Sequence, residues 1–197
     1  MLKQAPRRHD RINRRPAVAA GGARPYLDAM RMFFRPALLT ALLLCPVLAQ
    51  AQQERPKKLG EFQSWIAATY TEGGQKICYA FARASRSEGA SRQNVMLTVT
   101  HRPAARDTVT ISAGYTYPRT VTDVEVTVGS HELPFYTAGS TAAARNSAAA
   151  IRAMRAGRDA VAKAPGPNGR GRVTDTFPLA GFSAAYDAIS RECPVHR

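Results

Sequence analysis

The sequence predicts a mainly β domain, in which short antiparallel strands form a sandwich or barrel and two helices accompany them. Apolar and polar residues alternate in several short runs, most clearly at residues 124–128, and such alternation indicates strands with one covered face. Turn-forming pairs such as Gly73-Gly74 and Gly129-Ser130 separate these runs at regular intervals, as in sandwiches and barrels. An alanine-rich segment and an aromatic stripe predict the two helices.

The strands are expected between successive turn signals. In chain order they are predicted at residues 62–70, 76–84, 93–101, 108–114, 122–128, 132–137, 158–164 and 172–177. In the second of them Cys78 alternates with Ile77 and Tyr79, so the pattern leaves open which side of that strand faces the core.

The first helix is predicted over about residues 141–156, because alanine is the best helix former. Ser140 or Thr141 is expected to cap its start, and Gly157 to end it.

The second helix is predicted over about residues 183–193, with Pro194 ending it. Four of its positions, separated by four, three and four residues, form a single stripe: Phe182, Tyr186, Ile189 and Cys193. Cys193 is therefore expected to face the core.

The formal charge of +14 is unevenly distributed along the chain. Residues 1–35 contain nine Lys and Arg residues and two acids, which is +7 and half of the excess. A basic chain normally suggests a nucleic-acid partner, but here an uncharged apolar run, residues 36–49, follows the bases. That run is short for a span of about 20 residues and suits a signal peptide, with Arg31 and Arg35 in its positive region.

The small residues Ala49 and Ala51 form the expected cleavage pattern, so cleavage after Ala51 is predicted. The resulting organisation is a signal peptide at residues 30–51, a flexible lead-in at 52–61 and one domain at 62–197. A lipoprotein with Cys45 as acceptor is the alternative, but the preceding Leu44 is not small.

Residues 1–29 are more than a signal peptide needs. We hypothesise that translation starts at Met30 or Met32; the alternative is a long disordered extension that starts at Met1. Removing the basic leader argues against nucleic acid as the partner, and no transmembrane span is expected in the mature chain.

Two cysteines, Cys78 and Cys193, remain after signal removal, in a chain destined for an oxidising compartment. We predict a disulfide between them, which would stabilise the fold by up to about 5 kcal/mol on the chain-entropy model. Two buried free thiols are the alternative.

No motif points to catalysis, a metal or a cofactor. His101, His131 and His196 are far apart and lack ligand spacing, and there is no serine-hydrolase elbow, phosphate loop or dinucleotide fingerprint. Ser130, His131 and Asp123 would make a triad on paper, but triads are recognised by geometry. A protein that is not an enzyme is therefore expected, and an undetected hydrolase is kept as an alternative.

Arginines on the predicted first helix suggest a binding surface. Arg145 and Arg152 fall on the face opposite Ile151 and Met154, with Arg155 at its edge. Such a face is either simply solvated or contacts an anionic partner, such as acidic lipid headgroups or lipopolysaccharide.

Several short blocks occur in one order between residues 62 and 193. The most specific is 174–185, Thr-Asp-Thr-Phe-Pro-Leu-Ala-Gly-Phe-Ser-Ala-Ala, followed by Cys193. The others are Trp65, Ile77-Cys78-Tyr79, Thr100-His101-Arg102-Pro103-Ala104, Gly114-Tyr115-Thr116-Tyr117, Phe135-Tyr136-Thr137-Ala138-Gly139 and Ala153-Met154-Arg155-Ala156-Gly157. This ordered set resembles the invasion-associated locus B family of exported bacterial proteins.

The resemblance implies an immunoglobulin-like β-sandwich that is periplasmic, outer-membrane-associated or secreted, and a role in host-cell invasion or virulence through an unknown envelope or host protein. It brings no catalytic residues. A periplasmic envelope-stability or polyanion-binding module is the alternative. The sequence departs from the family at residues 140–146, where an acid and a tryptophan are usual, and at 165–168, where a Ser/Thr-rich loop is usual.

Overall fold

A computed structural model describes residues 55–195 of the chain. The predicted signal peptide, its cleavage site at Ala49 and Ala51, and the extension at residues 1–29 lie outside the described residues, as does His196. Eleven strands and two α-helices make up the described part: β1 (Lys57–Phe62), β2 (Trp65–Glu72), β3 (Gln75–Arg83), β4 (Arg86–Glu88), β5 (Met96–His101), β6 (Thr108–Ser112), β7 (Asp123–Val128), β8 (His131–Ala138), β9 (Thr141–Ala144), α1 (Ser147–Ala156), β10 (Asp159–Pro165), β11 (Arg172–Pro178) and α2 (Phe182–Glu192).

All strand pairs are antiparallel, and their order is β1-β2-β3-β5-β6-β9-β8-β7-β10-β11-β4. β4 follows β3 after only two residues, yet it pairs with β11 at the far end of this order. The backbone N–H of Ser85 donates to the carbonyl of Thr176 at 2.9 Å, which fixes this return. The sheet therefore folds back on itself, and the predicted mainly β antiparallel sandwich with two helices is confirmed.

The folded-back sheet has two halves, and their inner faces enclose one hydrophobic core. Its largest fully buried side chains include Trp65, Phe135, Phe177 and Phe182, and the Trp65 and Phe182 rings lie 4.8 Å apart. α2 is thereby packed against the inner side of β2. Burying such aromatic surface is the main source of stability in a sandwich of this kind.

The side of β3 that the sequence left open is resolved by this core. Cys78, Ala80 and Ala82 are buried on the inner side, whereas Tyr79 and Phe81 lie on the outer side and are half-buried. The outer side of β3 thus carries two aromatic rings where a solvated face would normally carry polar residues.

The first helix begins later than predicted. Residues 141–144 form β9 between β6 and β8, so a helix start at 141 is wrong, and neither Ser140 nor Thr141 is its cap. Asn146 caps α1 instead, its side-chain oxygen accepting from the Ala149 N–H at 3.0 Å. Helix propensity is a weak preference, and burying Ala142 and Ala143 in the sheet outweighs it. The predicted end at Gly157 is confirmed, since its N–H donates to Ala153.

The start of the domain also differs from the expectation. Residues 57–61, expected in the flexible lead-in, belong to β1, because Leu59 and Phe62 pack against the core. A turn at Gln63, with φ of 51°, divides β1 from β2 where one strand was predicted.

The second helix lies within one residue of its predicted bounds. Gly181 precedes it with φ of 89°, and a Cβ there would lie 1.9 Å from the Phe62 carbonyl oxygen. Only glycine combines this backbone conformation with so close an approach, which seats α2 beside β1.

Candidate functional site

A disulfide joins Cys78 on β3 to Cys193 immediately after α2, with a Cα–Cα distance of 6.1 Å. The predicted pairing is confirmed. It ties the C-terminal end of α2 to the second hairpin of the sheet across 115 residues of sequence.

His101 pairs with Cys78 across β3 and β5, and its side chain is 1% exposed. Its Nε2 lies 3.1 Å from the Ser190 hydroxyl oxygen. Its Nδ1 accepts the backbone N–H of Asp107 at 3.3 Å and lies 3.4 Å from the Asp107 carboxylate. Tyr186 presents its ring edge to the imidazole and donates its hydroxyl to that same carboxylate at 2.6 Å. We call His101, Asp107, Tyr186 and Ser190 the His101 cluster.

Burial, with the nearby positive charge of Arg106 as the next cause, lowers the pKa of His101 to about 4. The ring is therefore neutral near pH 7, because desolvation disfavours its charged form. Burial and the hydrogen bond to Asp107 raise the pKa of Tyr186 to about 12, so its hydroxyl stays a donor.

Ser190, His101 and Asp107 have the residue types of a catalytic triad, but the hydrogen bond to Nδ1 comes from the backbone N–H of Asp107 and not from its carboxylate. Since the Asp107 N–H points at Nδ1, Nδ1 is an acceptor, and the neutral ring carries its proton on Nε2. In that tautomer Nε2–H donates to Ser190, whereas in a catalytic triad the nucleophilic serine donates to Nε2. This arrangement holds the imidazole ring in place between Asp107 and Ser190.

The structure does not assemble the triad considered from the sequence. In the β7–β8 hairpin Asp123 pairs with Tyr136 and His131 pairs with Val128, so the two lie at opposite ends of the hairpin. His131 and Ser130 are exposed.

A basic groove of about 460 Å³ opens beside the His101 cluster and the disulfide. Arg106 donates to the carbonyl oxygen of Cys193 at its edge, and Lys76 pairs with Glu192 across it. Its charged lining residues are Lys76, Arg102, Arg106 and Glu192, three cations and one acid.

A second groove, of about 360 Å³, lies on the outer face of β2, β3 and β5. We call it the aromatic groove. It is lined by Tyr70, Tyr79, Phe81, Met96, Thr98, Thr100 and Arg102, and Arg102 also belongs to the basic groove.

The three arginines proposed to meet an anionic partner lie on two elements. Arg145 precedes α1, pairs with Asp123 at 2.6 Å and lies over the Tyr136 ring. Arg155, in the last turn of α1, pairs with Asp187 at 2.6 Å and lies over the Tyr186 ring. Arg152 is exposed on α1, beside His131 and Glu132. Two of the three guanidinium groups thus already have a carboxylate partner.

Sequence reasoning missed a buried ion pair between Arg92 and Asp175, whose side chains are 1% and 5% exposed. Two hydrogen bonds of 2.6 and 2.8 Å join the guanidinium to the carboxylate, and a third reaches the Ala113 carbonyl. The bond to Asp175 raises the pKa of Arg92, and among residues 55–195 its Nε finds no hydrogen-bond partner. One signal was available: Asp175 alternates in phase with Val173 and Phe177, which predicts an inward carboxylate.

The ordered blocks of the sequence also match a family model. The model of the invasion associated locus B (IalB) protein covers residues 65–190. The chain belongs to the invasion associated locus B family. The predicted resemblance is confirmed. Asp175 of the buried ion pair and Phe182 at the start of α2 both belong to the block at residues 174–185.

One solved structure similar to this family member is the invasion associated protein B of Bartonella henselae. The two sequences are 19% identical, the match covers 68% of this chain and 95% of the other, and the TM-score is 0.45. No curated protein matches the chain.

Within residues 55–195 of this locus B protein, no group of three or more His, Cys, Asp or Glu side chains is placed to hold a metal ion. In the same part of the chain, neither helix is long and apolar enough to cross a membrane.

Proposed function

We propose that this invasion associated locus B protein is exported, loses its leader after Ala51, and acts in the periplasm, at the outer membrane or outside the cell. It contributes to host-cell invasion or virulence by binding an envelope or host protein, without catalysis and without a cofactor. The Cys78–Cys193 disulfide carries the export part, because structural disulfides persist in oxidising compartments and are rare in the cytosol.

The His101 cluster supports binding over catalysis. Serine, histidine and aspartate meet in this cluster, and in the tautomer in which Nδ1 accepts the Asp107 N–H, the serine accepts from Nε2. An exported hydrolase with this triad would need the opposite proton position. A measurable hydrolysis of ester substrates that is lost in Ser190→Ala would contradict this part of the proposal.

Export is tested by expressing the full chain in a Gram-negative host and measuring the mass of the protein recovered from the periplasm. We expect a chain that begins at Gln52. Ala51→Leu should leave the leader attached, while Ala51→Gly should be processed normally, because cleavage requires a small residue there. Cytoplasmic recovery of an intact, reduced chain would overturn export.

The partner is sought by capture from periplasmic extract, before and after contact with host cells. A specific protein retained by the oxidised wild type supports an invasion role if it is retained only after host contact. Retention of the same envelope component under both conditions favours an envelope-stability role instead.

The alternative function is direct binding of an anionic lipid or lipopolysaccharide through Arg145, Arg152 and Arg155. The observation that favours it is that Arg152 is exposed, while Arg145 and Arg155 are held at the surface by their ion pairs. Liposome binding that is salt-sensitive and is lost when all three are changed to alanine would support it. Binding that ignores both salt and these changes would count against it.

A further inference from the structure

The outer face of β2, β3 and β5 carries aromatic side chains where a sheet that faces water usually carries polar residues. Tyr79 and Phe81 are stacked at 6.1 Å with 20° between their planes, and Tyr70 meets Tyr79 edge-on at 5.6 Å. α2, the helix that contacts these strands, lies on their inner side through Phe182. These rings are half-buried, and the groove that they line opens to solvent. Contiguous apolar surface of this kind marks binding sites.

The groove combines these rings with hydroxyl groups. Thr98 and Thr100 line it together with Tyr70 and Tyr79, so four of its lining residues carry a hydroxyl group. Burial raises the pKa of Tyr79, which keeps its hydroxyl protonated. Aromatic faces that fix position together with a few polar groups that fix orientation are typical of small-ligand sites.

The charged side chain that lines the aromatic groove is a cation. Arg102 is the charged residue lining the aromatic groove, and it also reaches the basic groove that Lys76 and Arg106 line. Its guanidinium donates to the Tyr70 hydroxyl at 3.4 Å and meets Glu72 at 3.5 Å, both at the surface, where an ion pair is weak and easily exchanged. Arg83 follows Phe81 on the same outer face of β3. A complementary ligand therefore carries negative charge beside an apolar face.

We propose that the aromatic groove binds an acidic glycan, with sugar rings against Tyr79 and Phe81 and a carboxylate or sulfate group on Arg102. The proposal rests on the proposed binding function, and names its surface and the chemical class of its ligand. The C–H faces of a saccharide can pack against the aromatic rings. Its hydroxyl groups can form hydrogen bonds with the four hydroxyl-bearing side chains.

Two other occupants fit this face less well. An acyl chain would desolvate the hydroxyls of Thr98 and Thr100 without giving them partners, which costs free energy. A second copy docked symmetrically would place the Arg83 and Arg102 side of one chain against the same positive face of the other.

The test is calorimetric titration of the purified oxidised chain with three oligosaccharides: a heparin fragment, a hyaluronan fragment and a neutral dextran fragment. Binding is expected for the two acidic ones and not for dextran. Tyr79→Leu, which keeps apolar volume but removes the ring, should weaken binding by about tenfold, and Phe81→Leu similarly. Arg102→Gln should also weaken binding and reduce its dependence on salt.

Matched controls on strands outside the face of β2, β3 and β5 are Tyr136→Leu on β8 and Arg172→Gln on β11, which should leave the affinity unchanged. An intact disulfide and an unaltered near-ultraviolet circular dichroism spectrum establish that each variant is folded. Should Tyr79→Leu alone fail to fold, Phe81→Leu and Arg102→Gln supply the same comparison.

Several results would overturn the proposal. One is glycan binding that survives Tyr79→Leu and Phe81→Leu but is lost when Arg145, Arg152 and Arg155 become alanine; the proposed binding function would then stand and this surface would be wrong. Others are binding of phosphatidylglycerol vesicles but of no glycan, and self-association that Tyr79→Leu abolishes without any glycan binding. Absence of all glycan binding rejects this ligand alone, because export and partner capture are measured independently.

Discussion

Two buried polar side chains lie at the two ends of β5, and the cost of their burial is offset in opposite ways. Before the strand, Arg92 remains charged and meets the carboxylate of Asp175 through two hydrogen bonds. At its end, His101 remains neutral and is held by uncharged donors and acceptors of Asp107 and Ser190. The charged pair depends on both partners being present, whereas the neutral ring depends on pH. The predictions below separate these two kinds of dependence.

The disulfide beside His101 is expected to be the largest single contribution. Cys78→Ala/Cys193→Ala should lower the free energy of unfolding by about 5 kcal/mol, because it releases a cross-link that spans 115 residues. Urea denaturation with and without reductant measures this. The wild type should lose the same amount on reduction, and the double variant should not respond. A wild type whose midpoint ignores reductant would contradict the prediction.

Breaking the ion pair at the other end should cost nearly as much. Asp175→Asn leaves the Arg92 charge buried without compensation and should lower the free energy of unfolding by about 3–4 kcal/mol. The matched variant is Arg92→Met/Asp175→Leu, which removes both charges and should cost less than Asp175→Asn alone. A double variant as unstable as the two single variants added together would show that the pair is not coupled.

The His101 end should respond to acid. Its folded pKa of about 4 lies below the ordinary value of 6.5, so between those values the unfolded chain binds a proton that the folded chain does not. Stability is therefore retained above pH 6.5 and falls by about 3 kcal/mol as the pH drops from 6.5 to 4. Denaturation of wild type and His101→Gln at several pH values measures it. The difference between the two proteins should shrink toward pH 4, and a constant difference would contradict the pKa.

The exposed ion pair near the His101 cluster should matter least. Arg155→Ala removes the surface contact with Asp187 and should change the free energy of unfolding by less than about 1 kcal/mol, less still at high salt. Asp187→Asn is its companion, and thermal melts at two salt concentrations compare them. A cost similar to that of Asp175→Asn would show that the cation–π contact with Tyr186 supports the cluster.

The elements that the sequence pattern predicted correctly are those whose formation depends on residues close in sequence. β7 was predicted within a residue of its bounds because apolar side chains alternate along it, and α2 because its aromatic stripe and Pro194 agree. β9 was mistaken for helix because Ala142 and Ala143 favour a helix locally, while their burial between β6 and β8 depends on strands far away in sequence. β4 was missed since its three exposed residues have no apolar pattern.

The candidate sites show the same difference between what the local sequence predicts and what it does not. Cys78 and Cys193 could be paired from the sequence because counting thiols in an exported chain leaves one combination. Arg92 and Asp175 are 83 residues apart, and the sequence around either residue gives no indication of its partner. His101 ends the strand predicted at residues 93–101, and no pattern in the sequence predicted its burial, which arises because α2 returns to cover it.

The position of Cys193 decides how much of the fold the disulfide encloses. Cys78 lies on β3 and Cys193 follows α2, so the loop that the bond closes contains β4 to β11 and both α-helices. Oxidation therefore restricts the unfolded chain over most of the domain at once, and not over a single hairpin. In a reducing compartment the protein is expected to keep its noncovalent packing but to have a lower free energy of unfolding.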